Sequence, residues 1–297
     1  MRNKFIDYLI KRNRKYRDTF LLVGDLGYGL VESFEENFPE FYINVGIAEQ
    51  NMATIAAGIS SEGYRVFCYS IANFNTFRCA EQIRNDIDYH ELPVCTVSVG
   101  GGLAYGNLGY SHHAIQDYAL MRSFPNTTIF SPADPLETEF CLDLIYEINS
   151  SSYLRLHKAN EKILNPDKWE IKPGLPRFIA GNIDSGNIIL TTGYAAHGAY
   201  KFLKESNQLS KYSLHTVPCW GMKYKNLIAK YLEKFNQITT IEDHLKDGGF
   251  GSWILECINE SKNNQKVIIK GFEKNIIGLV GDENYMHKAS KLFDLWE

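Results

Sequence analysis

Short apolar runs alternate with amphipathic stretches along the whole chain. Residues 20–23, 41–44, 65–70, 93–99, 127–131 and 152–156 are runs rich in Val, Ile, Leu, Phe and Tyr, several of them closed by glycine or aspartate, and they predict six strands. Between them lie helical patterns: a charged one over 1–17, one opening at Glu49, one over 75–89, and one over 135–148 opened by Asp134-Pro135. A stretch with little periodicity follows, holding Pro166, Pro173 and Pro176, and reads as a linker over 163–183. The alternation then resumes, with strands over 187–191, 213–217, 237–241 and 267–270. Helices are predicted over 195–203, from the turn Gly248-Gly249-Phe250-Gly251 to about 258, and over 285–293. Strands spaced by helices predict an α/β chain with mostly parallel sheets, divided into residues 1–162 and 184–297.

The bulk properties narrow the picture. A chain of 297 residues with 44% hydrophobic residues can bury two cores. A net charge of −4 gives no reason to expect nucleic acid or a membrane surface as partner. No apolar run approaches the roughly 20 residues that span a bilayer, and residues 1–17 hold no signal-peptide core. The cysteines at 68, 79, 95, 141, 219 and 257 contain no C-x-x-C pair, so they read as reduced, buried thiols of a cytoplasmic protein and not as a zinc or disulfide framework.

Candidate chemistry begins at Glu49. Counting i+3, i+4 and i+7 from it gives Met52, Ala53 and Ala56, so Glu49 stands on the helix face that packs inward. A carboxyl buried there needs a partner, and desolvation favours its protonated form, which suits an acid that shares a proton with a ring nitrogen. A carboxylate that merely favours a helix N-terminus is the alternative. Ile71, Phe74 and Phe77 form either a flat apolar slot or an ordinary packing face. The loop 100–113, GGGLAYGNLGYSHH, follows a central strand, where open α/β sheets bind ligands. Asp25 after the first strand, and Arg155 and Lys158 at the end of the sixth, are either site groups or a turn residue and solvated cations.

The segment Val45-Gly46-Ile47-Ala48-Glu49-Gln50-Asn51-Met52 resembles the IAEQNM segment of transketolases, in the domain that binds the aminopyrimidine ring of thiamine diphosphate. The resemblance implies that Glu49 bonds the pyrimidine nitrogen and drives the tautomer change that activates the cofactor. It sets Phe74 and Phe77 against the ring, with Ile71 where the family usually has Phe. Residues 106–113 resemble GEDGPTHQ, so His112 is expected to face the thiazolium and the substrate hydroxyls, with His113 beside it. Leu108 stands where many transketolases carry a donor-reading Asp, and Gly100 roughly where a phosphate-contacting His is usual. Asp25 resembles the Asp of an ADL segment that orders the subunit junction around the cofactor. Arg155 and Lys158 resemble an R-x-x-R strand end whose second position grips the substrate phosphate. From about 180 onward, Thr192-Gly193, Val217-Pro218-Cys219 and Glu242-Asp243-His244 resemble the transketolase C-terminal domain. The implied architecture is two three-layer αβα domains, a pyrimidine-binding one and a C-terminal one.

The chain holds no GDG segment followed by an Asn pair, the family's magnesium and diphosphate signature. The resemblance therefore implies a split enzyme. A separate N-terminal-half subunit would bind most of the Mg2+ and diphosphate, in an α2β2 heterotetramer. The implied reaction moves a two-carbon ketol unit from a ketose or ketose phosphate to an aldehyde or keto-sugar acceptor, a nucleotide-linked sugar being one option. A β-subunit of a 2-oxo acid dehydrogenase E1 component, or a non-catalytic partner subunit, are the alternatives. Asn51-Met52 and the loop 100–113 favour the transketolase.

Overall fold

The computed structural model describes residues 1–158, 161–166, 171–260 and 265–293. Six strands come from the first half: β1 (Thr19–Val23), β2 (Tyr42–Asn44), β3 (Arg65–Ile71), β4 (Val94–Val99), β5 (Thr128–Phe130) and β6 (Ser152–Leu156). Six follow: β7 (Arg177–Gly181), β8 (Asn187–Thr191), β9 (Ser213–Thr216), β10 (Cys219–Trp220), β11 (Gln237–Leu245) and β12 (Lys266–Phe272). They form a seven-stranded sheet ordered β10-β5-β6-β4-β3-β1-β2 and a five-stranded sheet ordered β12-β11-β8-β9-β7. All pairings within them are parallel except β10 with β5 and β7 with β9.

Alternate residues of the central strands enter two cores. Leu21, Val23, Phe67 and Tyr69 pack with Phe5 and Leu9 of the helix Arg2–Tyr16 and with Leu142 and Ile145 of the helix Pro135–Glu147. Leu22, Val66 and Cys68 pack on the other side against Met52, Ala53 and Ala56 of the helix Glu49–Ser61. Burial on both faces is why these strands read as unbroken apolar runs.

The structure departs from the sequence expectations in four places. The stretch 163–183 is not a plain linker: it contains β7, which pairs antiparallel with β9 at the edge of the second sheet. Residues 167–170 of it lie outside the described residues. Proline before an edge strand costs no ladder hydrogen bond, so Pro176 does not forbid β7. The helix expected over 75–89 is three pieces, Phe74–Phe77, Ala80–Gln82 and a π-helical Ile83–Asp88. Asn75 pins the first piece, donating to the carbonyls of Cys68 and Val97 at 3.2 and 2.7 Å. The last helix is Glu283–Ser290, capped by Asp282 and stopped by Lys291 at φ 52°. The short helices Glu32–Asn37, Asp117–Met121 and Lys225–Leu232, and the two-residue β10, carried too little periodicity to stand out.

Arg155 ties the two sheets together. From β6 its Nε donates to Asp117 Oδ2 at 2.7 Å and its Nη1 to Asp243 Oδ1 on β11 at 2.6 Å. Nη2 reaches the carbonyls of Ala114 and Asp243 at 2.7 and 3.2 Å. The glycine run lets this happen: a Cβ on Gly101 would lie 2.6 Å from the Arg155 guanidinium, and one on Gly102 2.6 Å from the Asp243 carboxylate. A second tie joins Arg177 of β7 to Asp134, which caps the helix Pro135–Glu147, and to Glu137 within it, at 3.2 and 2.9 Å, with all three side chains fully buried.

The glycine turn before the helix Phe250–Glu260 holds an internal carboxyl group. Glu242 accepts from the amides of Phe250 and Gly251 at 2.6 and 2.8 Å. Burial pushes its carboxyl up to about 8 despite those two donors. A carboxyl raised on folding binds its proton more tightly in the folded state, so it subtracts stability as pH climbs from 4.5 to about 8.

Two outcomes are expected. Arg155→Leu strands two buried carboxylates and should cost about 3–5 kcal/mol in urea unfolding, whereas a loss under about 1 kcal/mol would show a solvated tie. Thermal melts between about pH 5 and 8 should decline less steeply for Glu242→Gln than for the wild type, and parallel slopes would mean that the carboxyl is not desolvated.

Candidate active site

Because β1, β3, β4 and β6 run parallel, their carboxyl ends lie along one edge of the sheet. That edge carries Gly24-Asp25, the segment Ile71–Arg78, the loop 100–113 and His157-Lys158. Ligands of open α/β sheets bind there.

Glu49 opens the helix Glu49–Ser61 and is 2% exposed. Ala48 before it supplies no capping side chain, so no group competes with the Glu49 carboxylate at the helix start. Its Oε1 accepts from Ser70 Oγ at 3.2 Å, and its Oε2 from Arg78 Nη1 at 2.9 Å. Gly24 lies beside this pair: a Cβ there would press on Ser70 Oγ at 3.2 Å, the hydroxyl that bonds Oε1. Arg78 is 45% exposed and lays its guanidinium over the Phe74 ring, 4.0 Å from the centroid. A flat group with N–H donors thus stacks on Phe74 and bonds Glu49 at once. The slot fits a flat nitrogen heterocycle, with Arg78 as its internal stand-in.

His112 stands across the same mouth. Its ring meets Phe74 edge-on at 5.1 Å and Tyr105 at 6.5 Å. Ser111 Oγ occupies Nδ1 at 3.0 Å, which leaves Nε2 for a ligand. Burial, with smaller contributions from His113 and Arg78, pulls the imidazole below its ordinary 6.5, so it is neutral at pH 7. Asn73 fixes the loop, donating to the carbonyls of His113 and Ser111 at 2.8 and 3.3 Å.

The other expected residues are placed differently from one another. Ile71 ends β3 half-buried, in register with Val99. Phe77 is exposed at the rim of a shallow cleft shared with Phe74, Arg78 and Tyr110. Asp25 faces outward at φ 55°, accepting from Asn44 Nδ2 at 3.1 Å. Two residues expected on the substrate side lie away from the mouth. His113 is fully buried, with its Nε2 on the Gly106 carbonyl at 3.2 Å, and Arg155 is locked in the tie between the sheets, so neither faces the mouth. Lys158 is 36% exposed, but its ammonium sits 3.5 Å from Glu283 Oε2. Leu108 is exposed. Gly100 has no room for a side chain, because a Cβ there would strike the Tyr105 ring.

Sequence reasoning missed Ser70, Asn73, Arg78, Tyr105 and Glu283. Arg78 was within reach, since it stands four residues after Phe74 and a cation at i+4 lies over an aromatic ring. Glu283 gave no local signal.

Residues 1–162 match the family model described as transketolase, pyrimidine binding domain. The chain belongs to the transketolase family. A subunit of the apulose-4-phosphate transketolase of Phocaeicola vulgatus is 28% identical over 97% of this chain and 90% of its own. A 1-deoxy-D-xylulose-5-phosphate synthase of Clostridium perfringens is 30% identical over 84% of this chain but only 40% of its own. A solved structure described as a split gene transketolase, inactive β4 tetramer, superposes with a TM-score of 0.82 at 26% identity, covering 98% of this chain and 93% of that one. The chain therefore matches subunits of split transketolases over nearly its whole length, and part of longer single-chain relatives. The family is thiamine diphosphate-dependent, and the pyrimidine-binding domain contributes to holding that cofactor. Among the described residues, no group of three or more His, Cys, Asp or Glu is arranged to hold a metal, and no helix is long and apolar enough to cross a membrane.

A double-mutant cycle tests the pocket. Arg78→Ala, Glu49→Gln and their combination should give a coupling of about 1–3 kcal/mol in urea unfolding, because Glu49 is desolvated. Coupling below about 0.5 kcal/mol would mean that the two side chains are solvated separately.

Proposed function

We propose that this chain is the pyrimidine-binding subunit of a thiamine diphosphate-dependent transketolase, transferring a two-carbon ketol unit from a ketose donor to an aldehyde or keto-sugar acceptor. The observation that carries this reading is the buried Glu49 carboxylate at the foot of a slot walled by Phe74, with His112 across the same mouth. When bound, the cofactor supplies a nucleophilic carbon for cleaving the bond beside a ketone carbonyl. Glu49 would bond the ring nitrogen of the aminopyrimidine and share a proton with it, once Arg78 yields its place. Phe74, flanked by Phe77 and Ile71, would carry the ring. His112, neutral and with Nδ1 taken by Ser111, would offer Nε2 to a substrate hydroxyl as proton donor or acceptor.

A second chain corresponding to the N-terminal half would bring the Mg2+ and diphosphate site, in an assembly of two copies of each. The exposed apolar side chains of Tyr28, Ile47, Phe77, Leu108 and Tyr110 offer such a partner a surface, with Asp25 among them. The split-gene relative described as an inactive β4 tetramer supports the expectation that this chain alone is inactive. Six buried, unpaired cysteines suit the reducing cytoplasm.

The test is co-expression with the N-terminal-half chain, followed by assays with thiamine diphosphate and Mg2+. The pair should catalyse ketol transfer. In the pair, Glu49→Gln should slow proton exchange at the thiazolium C2 by about 100-fold or more with the assembly intact. Exchange within a few-fold of the wild type would reduce Glu49 to a helix-start residue.

A further inference from the structure

Lys158 occupies the position that the family resemblance gives to a substrate phosphate, and its charge is already matched within the chain. Glu283, in the first turn of the helix Glu283–Ser290, reaches three basic side chains. Its Oε2 lies 3.5 Å from Lys158 Nζ. Its Oε1 takes His157 Nε2 at 2.9 Å and lies 3.7 Å from His287 Nε2. Burial works against the Glu283 carboxylate, but the hydrogen bonds from His157 and His287 and the charges of His157 and Lys158 outweigh it and hold the carboxyl far below the usual range. Against the pull of burial, Glu161 and Glu283 raise His157.

The pair lies on the substrate side of the site. Lys158 Nζ is 5.4 Å from the centroid of the Tyr105 ring, which also lies 6.5 Å from the His112 ring. Beyond it a cavity of about 670 Å³ opens between the helices Ala195–Glu205 and Glu283–Ser290, within the size range of small-molecule sites. The other basic side chains along this cavity are Lys201, His197 and His287. Lys201 lies 4.0 Å from Glu205. Burial pulls His197 down, so it is neutral and bonds the Ala133 carbonyl at 2.9 Å. His287 sits on Glu283. Among the described residues lining the cavity, Lys158 therefore faces a carboxylate at close range, and the exposed Lys201 is left to solvent.

We propose that Glu283 sets substrate specificity by making the far end of this site a place for an uncharged, hydroxylated sugar chain and closing it to phosphate. An ammonium and a carboxylate 3.5 Å apart offer a donor beside an acceptor, which is what neighbouring hydroxyls need. A phosphate on Lys158 would instead meet the Glu283 charge at close range. This rests on the ketol-transfer reading and names the substrate class it takes.

The experiment has two arms on the assembled enzyme. In the first, inorganic phosphate is titrated by calorimetry into the wild type, Glu283→Gln, Glu283→Asn and Glu283→Gln/Lys158→Ala, all checked for folding by circular dichroism. Both single variants should bind phosphate about 10- to 100-fold more tightly than the wild type, and the added Lys158→Ala should abolish the gain. In the second, kcat/KM is compared for fructose and fructose 6-phosphate as donors to glycolaldehyde. The wild type should favour fructose, and Glu283→Gln should shift the ratio at least tenfold toward the phosphorylated donor. Equal phosphate affinity in wild type and variants, or a wild type that favours fructose 6-phosphate with a ratio unmoved by Glu283→Gln, overturns the proposal. A gain in phosphate binding without turnover of either donor upholds the role of Glu283 and sinks the ketol-transfer reading instead.

Discussion

The geometry of the site depends on the desolvated guanidinium of Arg155. It is held between Asp117 on one sheet's side and Asp243 on the other's, and the chain between Gly100 and His113 is threaded over it. Three glycines in a row are what that threading requires, since each stands where a Cβ would strike Tyr105, Arg155 or Asp243. A buried pair of this kind is weak evidence for stability, but it fixes position, because no displaced arrangement satisfies both carboxylates and the Ala114 carbonyl. The loop that presents His112 therefore takes its height above the sheet from an ion pair that never faces solvent.

Around that tie, the mouth is assembled by topology. Parallel strands deliver their carboxyl ends to one edge, so Gly24, Phe74, His112 and Lys158 converge although they are scattered over the first half of the chain. Glu49 reaches the same place from the start of a helix packed beneath the sheet edge. Its two oxygens are divided between a hydroxyl of fixed position, Ser70, and a half-exposed cation, Arg78. That division matters for exchange: a half-exposed guanidinium can yield to a ligand ring, while Ser70 keeps the carboxylate oriented.

Most of the fold was legible because strands buried on both faces are unbroken apolar runs, and those runs sit at βαβ spacing. That Glu49, Phe74 and His112 gather at one mouth was legible because local spacing and short motifs carried them. Charged residues were not. Arg155 reads in sequence like a strand-end cation facing a ligand, yet its partners lie 38 and 88 positions away. Arg177 hid β7 in the same way, since a charge after prolines resembles a linker until Asp134 and Glu137 are seen to neutralise it. Whether a charge is solvated, paired or offered to a ligand is a tertiary property, and no local pattern encodes it.

Lysine at 158 changes what the neighbouring carboxylate can do. An arginine fork there would engage both oxygens of one partner or two oxygens of a phosphate, and a single carboxylate would not quench it without matching its plane. Lysine is a point charge, so one oxygen of Glu283 suffices and the other remains for His157. His157 is in turn stacked on Tyr194 at 3.6 Å, which anchors Glu283 to the start of the helix Ala195–Glu205. The helix Glu283–Ser290 is thereby held against the end of β6 by contacts that any anion on Lys158 would have to break. The departure at 158 and the carboxylate at 283 are two halves of one arrangement, joined across 125 positions of sequence.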